Sequence, residues 1–212
     1  MESKSLELNE VNQSIIMQEA KADLTGKWGV GVAAYIVYVV ILGAGSFLPL
    51  INLLIAGPFG IGLAILGLKF ARREHAEVSH IFDGFKQFGD ALAAGILVGI
   101  GVAFGLIFFI VPGVILICGW SMTYCIMAED PTIGAINAIK KSWAMMDGYK
   151  GDYFIMLLKF FLLAIACIFT LGIGFFFLGP YVQTCVAKYY LVLRKVKGYD
   201  EEEDDITKHL VS

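Results

Sequence analysis

Three uninterrupted apolar blocks, Trp28–Leu68, Ala91–Ala128 and Tyr153–Ala187, constrain this chain more than any other feature. The first two hold no charged residue and the third holds only Lys159. They are 41, 38 and 35 residues long. One helix needs ~20 residues to cross a ~30 Å hydrocarbon core, so each block has room for two crossings and a tight turn. Backbone in lipid must satisfy its own N–H and C=O groups, which makes helices the natural form of such runs. The expected fold class is therefore all-α: a polytopic membrane protein, six transmembrane helices as three hairpins with cytoplasmic amphipathic helices between them. The blocks are slightly short, since two full crossings and a turn want ~42 residues. Wedge-like hairpins that enter and leave one leaflet also fit.

The basic residues give the orientation. Lys4, Lys21 and Lys27 precede the first block; Lys69, Arg72, Arg73 and Lys86 follow it. Lys140, Lys141 and Lys150 separate the second and third, and Arg194, Lys195, Lys197 and Lys208 close the chain. The middles of the blocks carry none, so the positive-inside rule places both termini in the cytoplasm. Lys159 and Lys188 remain. Each lies ~10 Å inside its helix end by rise per residue, and with no carboxylate available at that depth they are expected to snorkel. The resulting organisation is an N-terminal cytoplasmic amphipathic segment over residues 1–24, a membrane domain over 25–195, and an acidic, unstructured cytoplasmic tail over 196–212. No cleavable signal peptide is expected, because the segment before Trp28 is polar.

Only 17% of the chain is charged against a usual quarter, and the net charge of −3 comes mostly from six consecutive acids at Asp200–Asp205. That balance gives no footing for nucleic acid. Cys118, Cys125, Cys167 and Cys185 all fall inside the apolar blocks at spacings that match no zinc pattern, and read as free packing residues.

The hairpin starts look alike. Gly26-Lys27-Trp28, Gly89-Asp90-Ala91 and Gly151-Asp152-Tyr153 are 63 and 62 residues apart. Gly57-Pro58, Pro112-Gly113 and Gly179-Pro180 suggest an outer bend in each unit. Together they suggest three copies of one hairpin. Between the blocks, Val78, Ile81, Phe82, Phe85 and Phe88 follow α-helical spacing on one face. Asp130-Pro131 predicts a helix start, Ile133, Ile136, Ile139, Trp143 and Met146 its apolar face, and Gly148 its end. Leu8, Val11 and Ile15 form a weaker face near the N-terminus. Ala91, Gly95, Gly99 and Ala103 make a small-residue ladder, and Gly101 with Gly105 a second, so the third membrane helix is expected to be the central one.

Several stretches carry a resemblance. They are Ala22-Asp23-Leu24-Thr25-Gly26-Lys27-Trp28, Ile110-Val111-Pro112-Gly113-Val114, Trp120-Ser121-Met122 and Glu129-Asp130-Pro131 leading into Ala135–Ser142. Met146–Lys150, Leu171–Gly174 and Pro180–Thr184 complete the series. In order and spacing they resemble the bacterial integral-membrane family known as domain of unknown function 975, over roughly residues 15–195. The resemblance implies a six-helix bacterial inner-membrane protein and no established activity. That family is in turn similar to the membrane domain that precedes some glycerophosphodiester phosphodiesterases. Their catalytic barrel needs ~250 residues, for which no polar stretch here is long enough.

Catalytic chemistry is thin. No Asp, Glu or His lies within an apolar block, which disfavours a proton-coupled mechanism. His75 and His80 are five apart and do not share a helical face for a metal. No cofactor, metal or catalytic residue is expected. Among the few polar groups at depth, Gln183, Thr184, Ser121 and Thr123 are the candidates for lining a small cavity, although such groups more often bond to the preceding turn. The expected function is a non-enzymatic membrane scaffold or lipid-associated accessory module. Its partners would be membrane lipids and other membrane proteins. The alternatives are a transporter or channel for a small or amphipathic solute, and a membrane-bending protein built of wedges.

Overall fold

The computed structural model describes residues 12–45, 49–108, 110–169 and 172–199, and among them there is helix and turn but no strand. The order is α1 (Gln13–Asp23), α2 (Trp28–Gly45), α3 (Pro49–Ala71), a 3-10 helix (Val78–Gln87), α4 (Phe88–Phe108) and α5 (Ile110–Trp120). Then come α6 (Thr123–Glu129), α7 (Ala135–Met145), α8 (Lys150–Phe169) and α9 (Gly174–Val196). Among the described residues, four stretches are long and apolar enough to cross a membrane: Leu54–Ala71, Val78–Ile107, Val111–Glu129 and Lys150–Phe169. α1 with α2 makes a fifth if the two are one span, bent by 98°. α9 is long enough but carries Lys188, Arg194 and Lys195 in its second half.

The centre is α3 rather than the expected α4. α3 packs against α1, α2, the 3-10 helix, α4, α6 and α9. Phe59, Ile61, Leu63, Leu66 and Phe70 are buried on several of its sides, as a helix apolar all round should be when other helices surround it. α4 instead exposes Leu97, Ile100, Phe104 and Ile107. Its glycine ladder is used over only part of its length. Ala91 and Gly95 meet Gly57 of α3, and Gly101 and Gly105 meet Trp120 and Gly113, but Gly99 has no neighbour within 4 Å.

Close backbone approach explains why α3 is central. A methyl group on Gly62 would lie 1.9 Å from the Ile81 carbonyl oxygen, and one on Gly84 would lie 2.0 Å from that of Pro58. Ile81 to Gly84 therefore runs against Gly62 to Pro58, antiparallel. Three residues of 3-10 helix rise ~6 Å, the same as four of α-helix, so the two backbones stay in register. The tighter coil also changes which residues face inward. At a period of three, Ile81 and Gly84 are buried, while Phe82, Phe85 and Phe88 form a row of rings 6.5 and 6.3 Å apart. Phe59 meets Phe85 edge-on at 5.1 Å. The single face expected from α-helical spacing is thus divided in two.

The second linker departs from expectation as well. Asp130-Pro131 does not begin a helix. The Asp130 carboxylate accepts from the Thr132 N–H and hydroxyl at 2.9 and 2.7 Å and holds a turn, and α7 starts at Ala135 after Gly134. Its buried face is Ala135, Ala138, Ser142 and Met145, the first three small enough to allow close packing, and Ile136 and Trp143 are exposed. Gly148 does end the segment, at φ +87°. Gly57-Pro58 and Gly179-Pro180 lie inside α3 and α9, not at bends, and Pro112-Gly113 lies in the first turn of α5. Gly26 makes a left-handed turn, whereas Gly89 and Gly151 are helical. The matched hairpin starts are therefore not one repeated local structure. Leu8, Val11 and the acidic run Asp200–Asp205 lie outside the described residues.

Candidate functional site

Polar side chains from five segments converge on one end of the helices. The C-terminus of α3 is their hub. Arg73 adopts a left-handed φ of 59°, and the Glu74 N–H reaches back to the Lys69 carbonyl at 2.8 Å, a helix-ending arrangement that usually takes glycine. Arginine stands there because its Nε donates to the Asp23 carboxylate at 2.7 Å. Asp23 is fully buried and also binds Lys188, which contacts Glu19 at 3.0 Å. Burying a carboxylate between two cations in this way offsets the cost of removing it from water. Lys27 donates to the Glu74 carbonyl at 2.7 Å, tying the start of α2 to the same turn.

One residue earlier, Arg72 binds Glu129 at the end of α6. Glu129 also accepts from Arg194 at 2.5 Å and from the Tyr190 hydroxyl at 2.6 Å. Three donors occupy most of what a carboxylate can accept. Glu129 is thus a tie between α3, α6 and α9, and it has little capacity left to act as a base. A cleft of about 340 Å³ opens beside it. It is lined by Ile65, Leu68 and Ala128 together with Lys69, Arg72 and Arg194 and the acids Glu74 and Glu129.

Lys159 and Lys188, the two lysines expected to snorkel, both have polar partners. Lys188 takes Asp23 and Glu19. Lys159 donates to Gln13 Oε1 at 3.3 Å and Ser14 Oγ at 3.1 Å, and the Gln13 amide donates to Asp152 at 3.2 Å. The partners come from α1. That short polar helix, capped where the Ser14 N–H meets Asn12 Oδ1 at 3.0 Å, folds against α8 and α9. Sequence reading placed Asp23 and Glu19 outside the membrane domain and so missed them. The available signal was an acid, Asp23, three residues before the glycine turn at Gly26 that leads into an apolar block.

The four candidate cavity residues do not meet in one place. The Thr184 hydroxyl donates to the Pro180 carbonyl at 2.9 Å and that of Ser121 to the Cys118 carbonyl at 2.7 Å. Both use the preceding turn. Thr123 is buried with no partner for its hydroxyl. The backbone of Gln183 packs on Gly67. None of the four lines the cleft at Glu129 or either apolar groove described here. A neighbouring tie was also unforeseen: the Ser142 hydroxyl donates to the Gly119 carbonyl at 2.8 Å and accepts from the Met122 N–H at 3.2 Å, fastening α7 to the α5–α6 break. Cys118, Cys125, Cys167 and Cys185 are all buried. Among the described residues there is no group of three or more His, Cys, Asp or Glu arranged to hold a metal.

Two apolar grooves lie along α8. One, about 490 Å³, runs between α1, the start of α2, α8 and α9. The other, about 420 Å³, lies between α5 and the first turns of α8.

Residues 102–197 match the family described as protein of unknown function (DUF975). The match runs from the second half of α4 to the end of α9, and takes in Glu129, Lys188, Tyr190 and Arg194. No curated protein and no solved structure matches the chain.

Proposed function

We propose that this chain is a six-crossing bacterial inner-membrane protein, arranged as three hairpins with both ends cytoplasmic. It works there as a non-enzymatic, lipid-associated accessory module. The observation that carries this reading is the inverted distribution of side chains. Charged groups are gathered into a paired network at one end, while Phe104, Ile107, Phe161, Leu162, Ile168 and Phe169 face outward along the walls. A soluble protein would do the reverse, because water rewards burial of those apolar groups; lipid does not. In this arrangement α2 and α9 complete the six crossings, and Lys188 marks the level at which α9 leaves the hydrocarbon.

The polar end favours an accessory role over a transport path. Its carboxylates Asp23 and Glu129 are consumed in tying helices together. Buried ion pairs cost desolvation but fix one arrangement of helices, which suits a module that presents a constant surface to lipid or to a neighbouring membrane protein.

Labelling tests the topology. In a background with the four native cysteines replaced by alanine, Ile173→Cys, exposed between α8 and α9, should react with an impermeant maleimide in intact spheroplasts. Lys197→Cys should react only after lysis. Reaction of neither from outside would leave the hairpins as wedges, and release of the chain by a carbonate wash would sink the membrane reading altogether.

A further inference from the structure

We propose that the larger apolar groove holds one acyl chain of an anionic phospholipid, whose headgroup sits on Lys21. The inference rests on the membrane reading above and adds a site and a ligand class to it. The groove, about 490 Å³, is walled by Trp28, Leu163, Phe177, Leu178 and Tyr181, with Met17 and Lys21 of α1 at one end. That volume lies within the ~300–1,000 Å³ usual for small-ligand sites. Its lining is almost wholly apolar. The Tyr181 hydroxyl donates to the Met17 carbonyl at 3.1 Å, so its proton is not available to a guest.

Charge and direction identify the occupant. Lys21 forms no ion pair among the described residues, whereas Lys27, Lys69, Lys150, Lys159 and Lys188 each have a polar partner. Glu19 and Asp23, the two acids of α1, are both committed to Lys188. From Tyr181 to Gly174 the groove follows α9 for two turns, ~10 Å by rise per residue, leading away from the ionic end. A cation on a polar helix at one end, a tryptophan beside it and an apolar trough running along the helix axis reproduce the layout of a phospholipid at the interface. A soluble anion would have no use for the trough, and a neutral lipid none for Lys21.

The test uses Trp28 as its own reporter. Trp120→Phe and Trp143→Phe together leave it as the sole tryptophan in the full-length chain, reconstituted in phosphatidylcholine vesicles. Brominated phosphatidylglycerol should reach half-maximal quenching at about one-fifth the mole fraction needed with brominated phosphatidylcholine, the factor one lysine near an anionic surface provides. Lys21→Gln should equalise the two lipids. Leu163→Phe, which narrows the trough, should reduce quenching by both while the helical circular dichroism is unchanged. If the double tryptophan variant fails to fold, the difference between the parent and Trp28→Phe gives the same signal. Equal quenching by the two lipids, or a phosphatidylglycerol preference that survives Lys21→Gln, overturns the site and leaves the labelled topology standing. Protection of Trp28 from both lipids in a chain that elutes as a dimer also overturns it, and assigns the groove to a second copy.

Discussion

The two ends of α8 behave as if they belonged to different proteins. Near its start, Tyr153 and Met156 are buried, Lys159 is bonded to α1, and Tyr153 meets Tyr189 edge-on at 5.3 Å. Near its finish, Phe161, Leu162, Ile168 and Phe169 are exposed. The first half is held by specific polar and aromatic contacts, and the second half is left to its solvent. The difference shows where this fold derives its specificity. In the membrane reading proposed above, lipid gives no hydrophobic drive for one helix to choose another, so the choice falls to the polar end, by charge, and to α3, by glycine. The rest of the wall needs only to be apolar.

That contrast is broken most severely at Asp23. Asp23→Ala should leave Arg73 in a left-handed conformation without its partner, and Lys188 with only Glu19. Removing one partner of a buried pair costs about 3–5 kcal/mol. Arg73 is itself largely exposed and can rehydrate, so about 3 kcal/mol is the expected loss in a detergent unfolding titration. Leu162→Ala, on the open wall, should cost well under about 1 kcal/mol, since its side chain is exposed and truncating it opens no cavity. Comparable losses at the two positions would remove the distinction between them.

Much of the coarse picture was legible in the chain. Block lengths and the absence of charge gave the long apolar helices, and Gly148 gave the end of the segment after α7. What sequence could not reveal depends on geometry that spacing does not carry. An α-helical period was assumed for Val78–Phe88, and a 3-10 coil turns a different face inward from the same letters. Asp23 looked solvated because only the fold brings Lys188, 165 residues away, beside it. Glu129 stood out only as a member of the series that carries the family resemblance, because Arg72, Tyr190 and Arg194 are likewise distant in sequence. Proline in Gly57-Pro58 and Gly179-Pro180 suggested bends, as it would in water; packed among neighbouring helices it is tolerated inside α3 and α9.

Glycine allows a smaller and cleaner test within a single helix pair. In Gly57→Ala the new methyl would lie 2.0 Å from the Ala91 carbonyl oxygen. Backbone cannot yield as a side chain can, so a loss of about 1–3 kcal/mol is expected from overpacking. In Gly99→Ala, on the same ladder of α4, nothing lies within 4 Å. That change should be neutral or stabilising by up to about 1 kcal/mol through helix propensity alone. Equal destabilisation by both would mean that Gly99 also faces a helix, and that α4 is packed where the structure leaves it open.

The smallest effect expected is at Asp130, an exposed acid that contrasts with the buried Asp23. The Thr132 hydroxyl bonded to it holds its carboxyl below the usual aspartate value, with the Thr132 N–H adding to this and slight burial opposing it. A depressed carboxyl stabilises the folded state at pH values above its unfolded pKa of ~3.9, and that contribution is lost as pH falls through the lowered folded value. From pH 7 to 5, then, parent and Asp130→Asn should show the same pH trend in melting temperature. Below about pH 4 the parent alone should lose the contribution of this turn. The shift is on the order of 1 °C, because an exposed interaction is screened by water and the chain is large. A parent that melts identically to Asp130→Asn across the whole acid range would show that the turn before α7 is held by its backbone and by Gly134 rather than by the Asp130 charge.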